Sequence, residues 1–300
     1  MSELVREVRE IISRGEWLTW REGDITASAI AALFDCHPFM TLEDLADSKR
    51  GGSNQPPTAS MRAGIVLEPG ALAAVQHDNP TWRVSKATTY HRIPEYMLGA
   101  TPDAWLDDDG LIQIKTTSVE QWQKWRGHPP LAYTLQTLTE MLVCDKQRGY
   151  LAVLVRSPSF PLYTFEVNRH EAAEQRILTA ARYWWDHFVR GEVPPAIRSD
   201  EIAADLDDGS FVDLSTDNYL CASLPERAQL KSEISAAEKR VSEIDAALKA
   251  ALGPASSAWL PGYEITFKSQ HRRETVIPAR DIRVLRVRAA AEEEGADAEQ

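Results

Sequence analysis

Hydrophobic and polar positions alternate along this chain with two different periods. Near the start, "MSELVREVREIISRGEWL" is amphipathic and mixed in charge, and it predicts a helix over residues 2–14. "DITASAIAALF" predicts a second helix, with Asp24 or Thr26 as cap and Ile25, Ile30 and Leu33 facing inward. "TLEDLADSKR" is a short third helix capped by Thr41, and "GGSNQPPTAS" at 51–60 has the make-up of a loop. A longer helix follows in "SMRAGIVLEPGALAAVQHD", where Pro69 calls for a local start or kink. The period then shifts towards two. "WRVSKATTYH", "YMLGATPDAWLD" and "GLIQIKTT" are three strand candidates separated by turn signals.

Two helices, "VEQWQKWRG" and "LAYTLQTLTEMLVCD", precede two strands, "RGYLAVLVR" and "LYTFEVN", and the long helix "HEAAEQRILTAARYWWDHFVRG" closes at Gly191. Helices, three strands, helices, two strands and a helix make an α/β (α+β) mixed sheet flanked by helices. This core is expected over residues 1–198. An acidic linker occupies 199–222, a helix with a basic strand segment 223–288, and an acidic tail 289–300. In the 225–252 helix, Leu230, Ile234, Ala237, Val241, Ile244 and Leu248 are spaced 4, 3, 4, 3, 4, a narrow seam for a partner helix. The partner is a helical hairpin of the same chain or another subunit. "GYEITFKSQHRRETVIP" then reads as a strand or hairpin.

Composition adjusts this picture only slightly. The 300 residues are 43% hydrophobic and 26% charged, as in a globular protein in water, and no apolar run reaches the roughly 18 residues of a membrane span. Cys36, Cys144 and Cys221 are far apart and odd in number, which suits reduced thiols in a cytoplasmic protein. The start is unlike a signal peptide. Net charge is −12, yet residues 268–288 carry a net +5, leaving −17 for the remainder. That basic segment, with Arg272 and Arg273, is a candidate DNA or partner contact.

Candidate chemistry collects around "DAWLDDDGLIQIKTTS" at 103–118. Leu111, Ile112 and Ile114 mark a buried strand, and alternation puts Gln113 and Lys115 on one face of it. Asp103, at the end of the neighbouring strand, can approach them. Oxygen donors in that arrangement could hold Mg²⁺, with the Ile114 carbonyl as a further ligand and Lys115 positioning a water or neutralising developing charge. Glu68 on the preceding helix adds a carboxylate, and Gln136 on the following helix adds an amide. The bland alternative makes Asp103 a turn cap and Lys115 a solvated strand end.

"GATPDAW" followed by "GLIQIKTTS" resembles the PD-(D/E)xK nuclease motif. "WLTWREGDITASAIAALFDCHPFMTLEDL", "GIVLEPGALA", "AYTLQTLTEMLV" and "FVRGEVPP" are similar, in order, to the lambda-exonuclease and YqaJ-type phage recombinase nucleases over residues 15–195. The resemblance implies a restriction-endonuclease-like core with a C-terminal helix and strand appendage. It implies a metal-dependent exonuclease that degrades one strand of linear duplex DNA from its 5′ end, in the cytoplasm of a phage host. The overhang would serve a single-strand annealing recombinase, and the nuclease would be a homo-oligomer, a ring trimer. Asp103, Gln113 and the Ile114 carbonyl would hold one Mg²⁺ (Mn²⁺ as alternative), and Glu68, Asp103 and Gln136 a second. Lys115 would activate water. Arg21, Ser28 and Thr101 map onto a terminal-phosphate pocket, and Lys124 or Arg126 onto a backbone contact. Trp122 and Trp125 stack on bases or pack, packing being the expectation.

One position departs from the pattern: the family places Glu where Gln113 stands. Gln113 reads as a Glu→Gln replacement of the kind made to trap a substrate complex, with a natural glutamine as the alternative. The chain is therefore expected to be impaired in catalysis. A non-catalytic DNA-end-binding module and an oligomeric scaffold are the competing readings.

Overall fold

The structure, a computed structural model, describes residues 4–51, 58–107, 109–207, 209, 214, 217–269 and 285–287. The chain divides into two compact units, one built on residues up to Asp207 and the other on 208–279. Among the described residues no helix is long and apolar enough to cross a membrane.

The first unit opens with strand β1 (Glu7–Glu10) and not with the helix expected over 2–14; helix α1 (Arg14–Glu22) starts only after Ser13, whose hydroxyl caps it. "EVRE" alternates half-buried and exposed because it pairs antiparallel with β4 (Thr89–Ile93), a partner invisible to local periodicity. The second expected helix is likewise split. Ile25–Thr26 form β2, and Ala27–Phe34 wind as a 3₁₀ helix in which seven of eight residues are buried. Asp24 caps nothing there. It is fully buried, accepting hydrogen bonds from the Tyr90 hydroxyl and the Arg92 guanidinium, both at 2.8 Å. Thr26 stands at the cap position without a capping hydrogen bond.

Helix α2 (Leu42–Lys49) carries the expected Thr41 cap, completed as a reciprocal box by Asp44. Helix α3 (Ala59–Asp78) runs unbroken through Pro69. The three central strand candidates become five strands: β3 (Val84–Lys86), β4, β5 (Leu98–Ala100), β6 (Ala104–Leu106) and β7 (Gly110–Ser118). They divide between two sheets. One has the order β1-β4-β5-β2. The other is β3-β6-β7-β8-β9, completed by β8 (Arg148–Arg156) and β9 (Leu162–Val167). β7 and β8 pair in parallel over nine residues; the other pairs of that sheet are antiparallel.

Helices α4 (Val119–Trp125), α5 (Leu131–Cys144) and α6 (Glu171–Phe188) form as the periodicity indicates. The two faces of β7 serve different cores. Ile112 and Ile114 cluster with Ala71 and Val75 of α3, whereas Leu111 joins Leu135, Leu138 and Met141 of α5. Gln113 and Lys115 share the parity of Leu111 and so look towards α5. Within the first sheet, Gly99 of β5 leaves room for the Tyr90 side chain of β4: a Cβ there would lie 1.9 Å from the Tyr90 hydroxyl oxygen. Residues 199–205, within the stretch read as linker, form helix α7 (Ser199–Asp205) with Ile202 buried.

The second unit contains helix α8 (Asn218–Leu252) and a hairpin of β10 (Ser257–Leu260) with β11 (Tyr263–Thr266), which realises the strand expected at "GYEIT".

Candidate active site

A cleft of about 630 Å³ is lined by Arg21, Ser28, Glu68, Thr101, Asp103, Gln113 and Gln136, together with Trp17, Lys86 and Glu140. It brings together Glu68, Asp103, Gln113 and Gln136 of the residues expected for hydrolysis and the three expected for an end phosphate; Ile114 and Lys115 are not among its lining residues. Lys124 and Arg126 are not among its lining residues; they lie at the end of α4, with Arg126 in the left-handed region at φ 55°. Trp122 stacks on Tyr163 at 4.3 Å and Trp125 meets Tyr133 edge-on, so both pack as expected. Arg272 and Arg273 lie outside the described residues.

At the hydrolytic end, Asp103 follows β5 just before β6, opposite the middle of β7. Its Oδ2 accepts from the Ile114 backbone N–H at 2.7 Å and from Gln113 Nε2 at 2.5 Å. The same Gln113 nitrogen donates to the Ile114 carbonyl at 3.1 Å. One amide nitrogen thus bridges the two oxygens that a cation would share. Gln113 Oε1 is buried and has no partner among the described residues, a costly state that the opposite orientation of the amide would relieve if a cation lay there. Asp103, Gln113 Oε1, the Ile114 carbonyl and Glu68 are hard oxygen donors and fit one divalent cation. Glu68 is held at 2.9 Å by Lys86. A second cation would need more anionic ligands, and no group of three His, Cys, Asp or Glu side chains gathers among the described residues.

Lys115 donates to Gln136 Oε1 at 2.8 Å, and Gln136 Nε2 donates to Glu140 Oε1 at 2.9 Å. The relay runs from an ammonium through an amide to a carboxylate. Gln136 and Glu140 stand one turn apart on the face of α5 that meets β7. Glu140 is 1% exposed, and its Oε2 has no partner. Burial, then the charge of Asp103, raises the Glu140 carboxyl to about 8, while Lys115 and Arg21 oppose the rise. Burial raises Asp103 to about 6, against the pull of Lys115. Burial also lowers Lys115 from the usual ammonium range.

Sequence reasoning passed over Glu140. Its signal was a lone carboxylate inside "LTEMLVC", a run otherwise buried on all sides. A folded pKa above the unfolded value favours the neutral acid, so its contribution to stability is complete below the unfolded pKa, near 4.5, and disappears as pH rises through about 8. Glu140→Gln should therefore melt higher than the parent at pH 8, by about 2 °C or more. That advantage should shrink towards pH 5. A melting difference that is flat between pH 5 and 8 would contradict a buried, neutral Glu140.

The other end of the cleft is cationic. The Arg21 side chain donates to the Ser28 hydroxyl at 3.3 Å and lies 4.4 Å from the Trp17 ring, whose indole N–H donates to Thr101 Oγ1 at 3.0 Å. Thr26 Oγ1 completes the hydroxyl group 3.0 Å from Ser28. Burial lowers the Arg21 pKa from its usual range, with the Glu140 charge opposing. No carboxylate lies within ion-pair distance of Arg21 among the described residues. A half-buried guanidinium beside hydroxyls, with no carboxylate in ion-pair range among the described residues, is chemistry suited to an anion. From below, Lys49 Nζ donates to the Arg21 and Asp24 carbonyls, both at 2.6 Å.

A mixed sheet flanked by helices sets Asp103, in the bend before β6, against Gln113 on β7, with Lys115 on the same face of that strand, as the motif resemblance leads one to expect. Residues 16–147 match the YqaJ-like viral recombinase domain, the family expected from the motifs. The alkaline exonuclease LHK-Exo of Laribacter hongkongensis aligns with a TM-score of 0.51 and 22% identity, covering 59% of this chain and 93% of that one. A phage-related exonuclease from Haemophilus somnus 129PT aligns with a TM-score of 0.43 and 12% identity, over 56% of this chain and 96% of its own. No curated protein sequence matches.

Proposed function

We propose that the chain is a divalent-cation-dependent exonuclease that digests one strand of linear duplex DNA from a 5′-phosphorylated end. It leaves a 3′ single strand for an annealing recombinase. The observation that carries this reading is one cleft lined by Arg21, Ser28 and Thr101 together with Asp103, Gln113 and Gln136, the last of which accepts a hydrogen bond from Lys115. The pocket takes the terminal phosphate and sets the register. Asp103, Gln113 Oε1, the Ile114 carbonyl and Glu68 would hold Mg²⁺ (or Mn²⁺), which when bound supplies charge neutralisation and a more acidic water. Lys115 places a positive charge at the phosphodiester and orients the attacking water, and the Gln136–Glu140 relay holds the Lys115 ammonium in place. With one charge fewer than a Glu would bring, Gln113 slows the reaction.

A second reading, a DNA-end-binding module that does not cleave, is favoured by one observation: the Gln113 amide nitrogen occupies the bridge between Asp103 and Ile114. Incubation of 5′-phosphorylated linear duplex with the chain in Mg²⁺, with and without chelator, separates the two. Chelator-sensitive shortening from the 5′ end supports the exonuclease, whereas end binding with no shortening supports the module. Arg21→Ala addresses the pocket in either case. Losing charge-assisted hydrogen bonds to the phosphate should cut the preference for phosphorylated over hydroxyl ends by about 10-fold. Equal weakening on both kinds of end would give Arg21 a general role instead.

A further inference from the structure

Helix α8 carries a feature that hydrolysis does not use. Leu230, Ile234, Ala237, Val241, Ile244 and Leu248 recur at alternating steps of four and three, the spacing that keeps one stripe turned towards a supercoiled partner. Leu230 is 50% exposed, Ile234 57%, Val241 57% and Ile244 46%. Among the described residues, those lining the groove along this stripe belong to α8. A 35-residue helix with so little buried draws most of its stability from whatever covers such a stripe.

The charges beside the stripe indicate what covers it. With Ile234, Val241 and Leu248 at the a positions and Leu230, Ala237 and Ile244 at d, Glu226, Glu233 and Arg240 occupy g. Lys231, Glu238 and Asp245 occupy e. A parallel copy in register sets each g residue against the e residue five places on. Glu226 then meets Lys231 of the other copy and Arg240 meets Asp245, each contact occurring twice by symmetry, and only Glu233 faces a like charge, at Glu238. An antiparallel copy would oppose Arg240 to Arg240 and Glu238 to Glu238. β-Branched Ile234 and Val241 at a, with Leu230 at d, suit two parallel strands, whereas Ile244 at d beside Leu248 at a follows the opposite pattern, so the charges decide the arrangement.

We propose that the 230–248 stripe of α8 pairs in parallel with the same stripe of a second copy of this chain. The pairing is independent of the nuclease reading. In the full chain with the exposed Cys221 replaced by Ser, Ala237→Cys at a d position should form an inter-chain disulfide under mild oxidation. That product runs at about twice the chain mass on a non-reducing gel. Lys239→Cys, two residues away on the outer side of the helix, should not. Ile234→Asp with Val241→Asp should lower the weight-average mass in sedimentation at micromolar concentration by about twofold. Absence of the disulfide in the Ala237→Cys variant, equal cross-linking of the Ala237→Cys and Lys239→Cys variants, or unchanged sedimentation of the double aspartate variant would each overturn the pairing. So would cross-linking of Ala237→Cys only to an added annealing protein. DNA digestion and end binding are separate readouts, so failure here leaves the nuclease proposal untouched.

Discussion

Gln113→Glu is expected to raise Mg²⁺-dependent digestion of 5′-phosphorylated linear duplex by about 10²-fold or more. The gain has a definite source. In the present chain Gln113 Nε2 donates to both Asp103 Oδ2 and the Ile114 carbonyl, so a cation entering between them must first turn the amide over and then accept a neutral oxygen. A glutamate has no N–H to place there and brings a full negative charge to a hard cation. Without cation, the variant carboxylate would sit beside the buried Asp103 with no hydrogen bond to replace the one it removes. The variant should therefore melt lower than the parent in EDTA and regain more than the parent on adding Mg²⁺ or Mn²⁺. Melting and digestion are separate readouts. If the chain as it stands already digests DNA rapidly and Gln113→Glu adds nothing, the amide is no impediment and the reasoning fails.

Lys115→Met in the Gln113→Glu background should lose about 10³-fold in digestion while binding phosphorylated ends within about threefold of its parent. Methionine keeps the length and apolar body of the side chain and deletes the ammonium, which lies 5.1 Å from the Tyr133 ring and reaches Gln136. On the proposed reading, end binding rests on Arg21 and its hydroxyl partners and should change little. Single-turnover digestion and fluorescence anisotropy on the same labelled duplex give the two numbers. A parallel fall in both would mean that Lys115 shapes the cleft and has no particular part in bond breaking.

Much of this site was legible because its parts are local. Residues 110–118 form one uninterrupted strand, so the two-residue period alone placed Gln113 and Lys115 on a common face. Asp103 lies in the bend directly before β6, close in sequence to the strand it faces. The motifs carried Arg21, Ser28 and Thr101, and the cleft gathers them with Glu68 and Gln136. What escaped notice depended on distant partners. "VREVRE" satisfies a helical period as well as an alternating one, and only the Glu7–Arg92 to Glu10–Thr89 register makes it a strand. The breaks at Ala87–Thr88 and Thr101–Asp103 send one apparent strand into two sheets, which no local pattern announces. Asp24 resembled a helix cap because nothing nearby in sequence reveals Tyr90 and Arg92. Trp17 was passed over for the same reason: its link to Thr101 spans 84 residues.

The Lys49 ammonium beneath Arg21 has a kinetic consequence. By grasping the carbonyls of Arg21 and Asp24 from α2, it fastens the turn between α1 and β2 before any DNA arrives. The loss of conformational entropy that accompanies a mobile anion-binding loop is therefore incurred during folding and not at each encounter. Association should then approach the rate at which DNA ends collide in the right orientation, with little delay from loop rearrangement. Burial and the nearby Arg21 charge lower the Lys49 pKa to about 8. Above that pH the fastening should loosen, and on the proposed reading the pocket would pass from a fixed gauge of the DNA end to one that must be assembled around it.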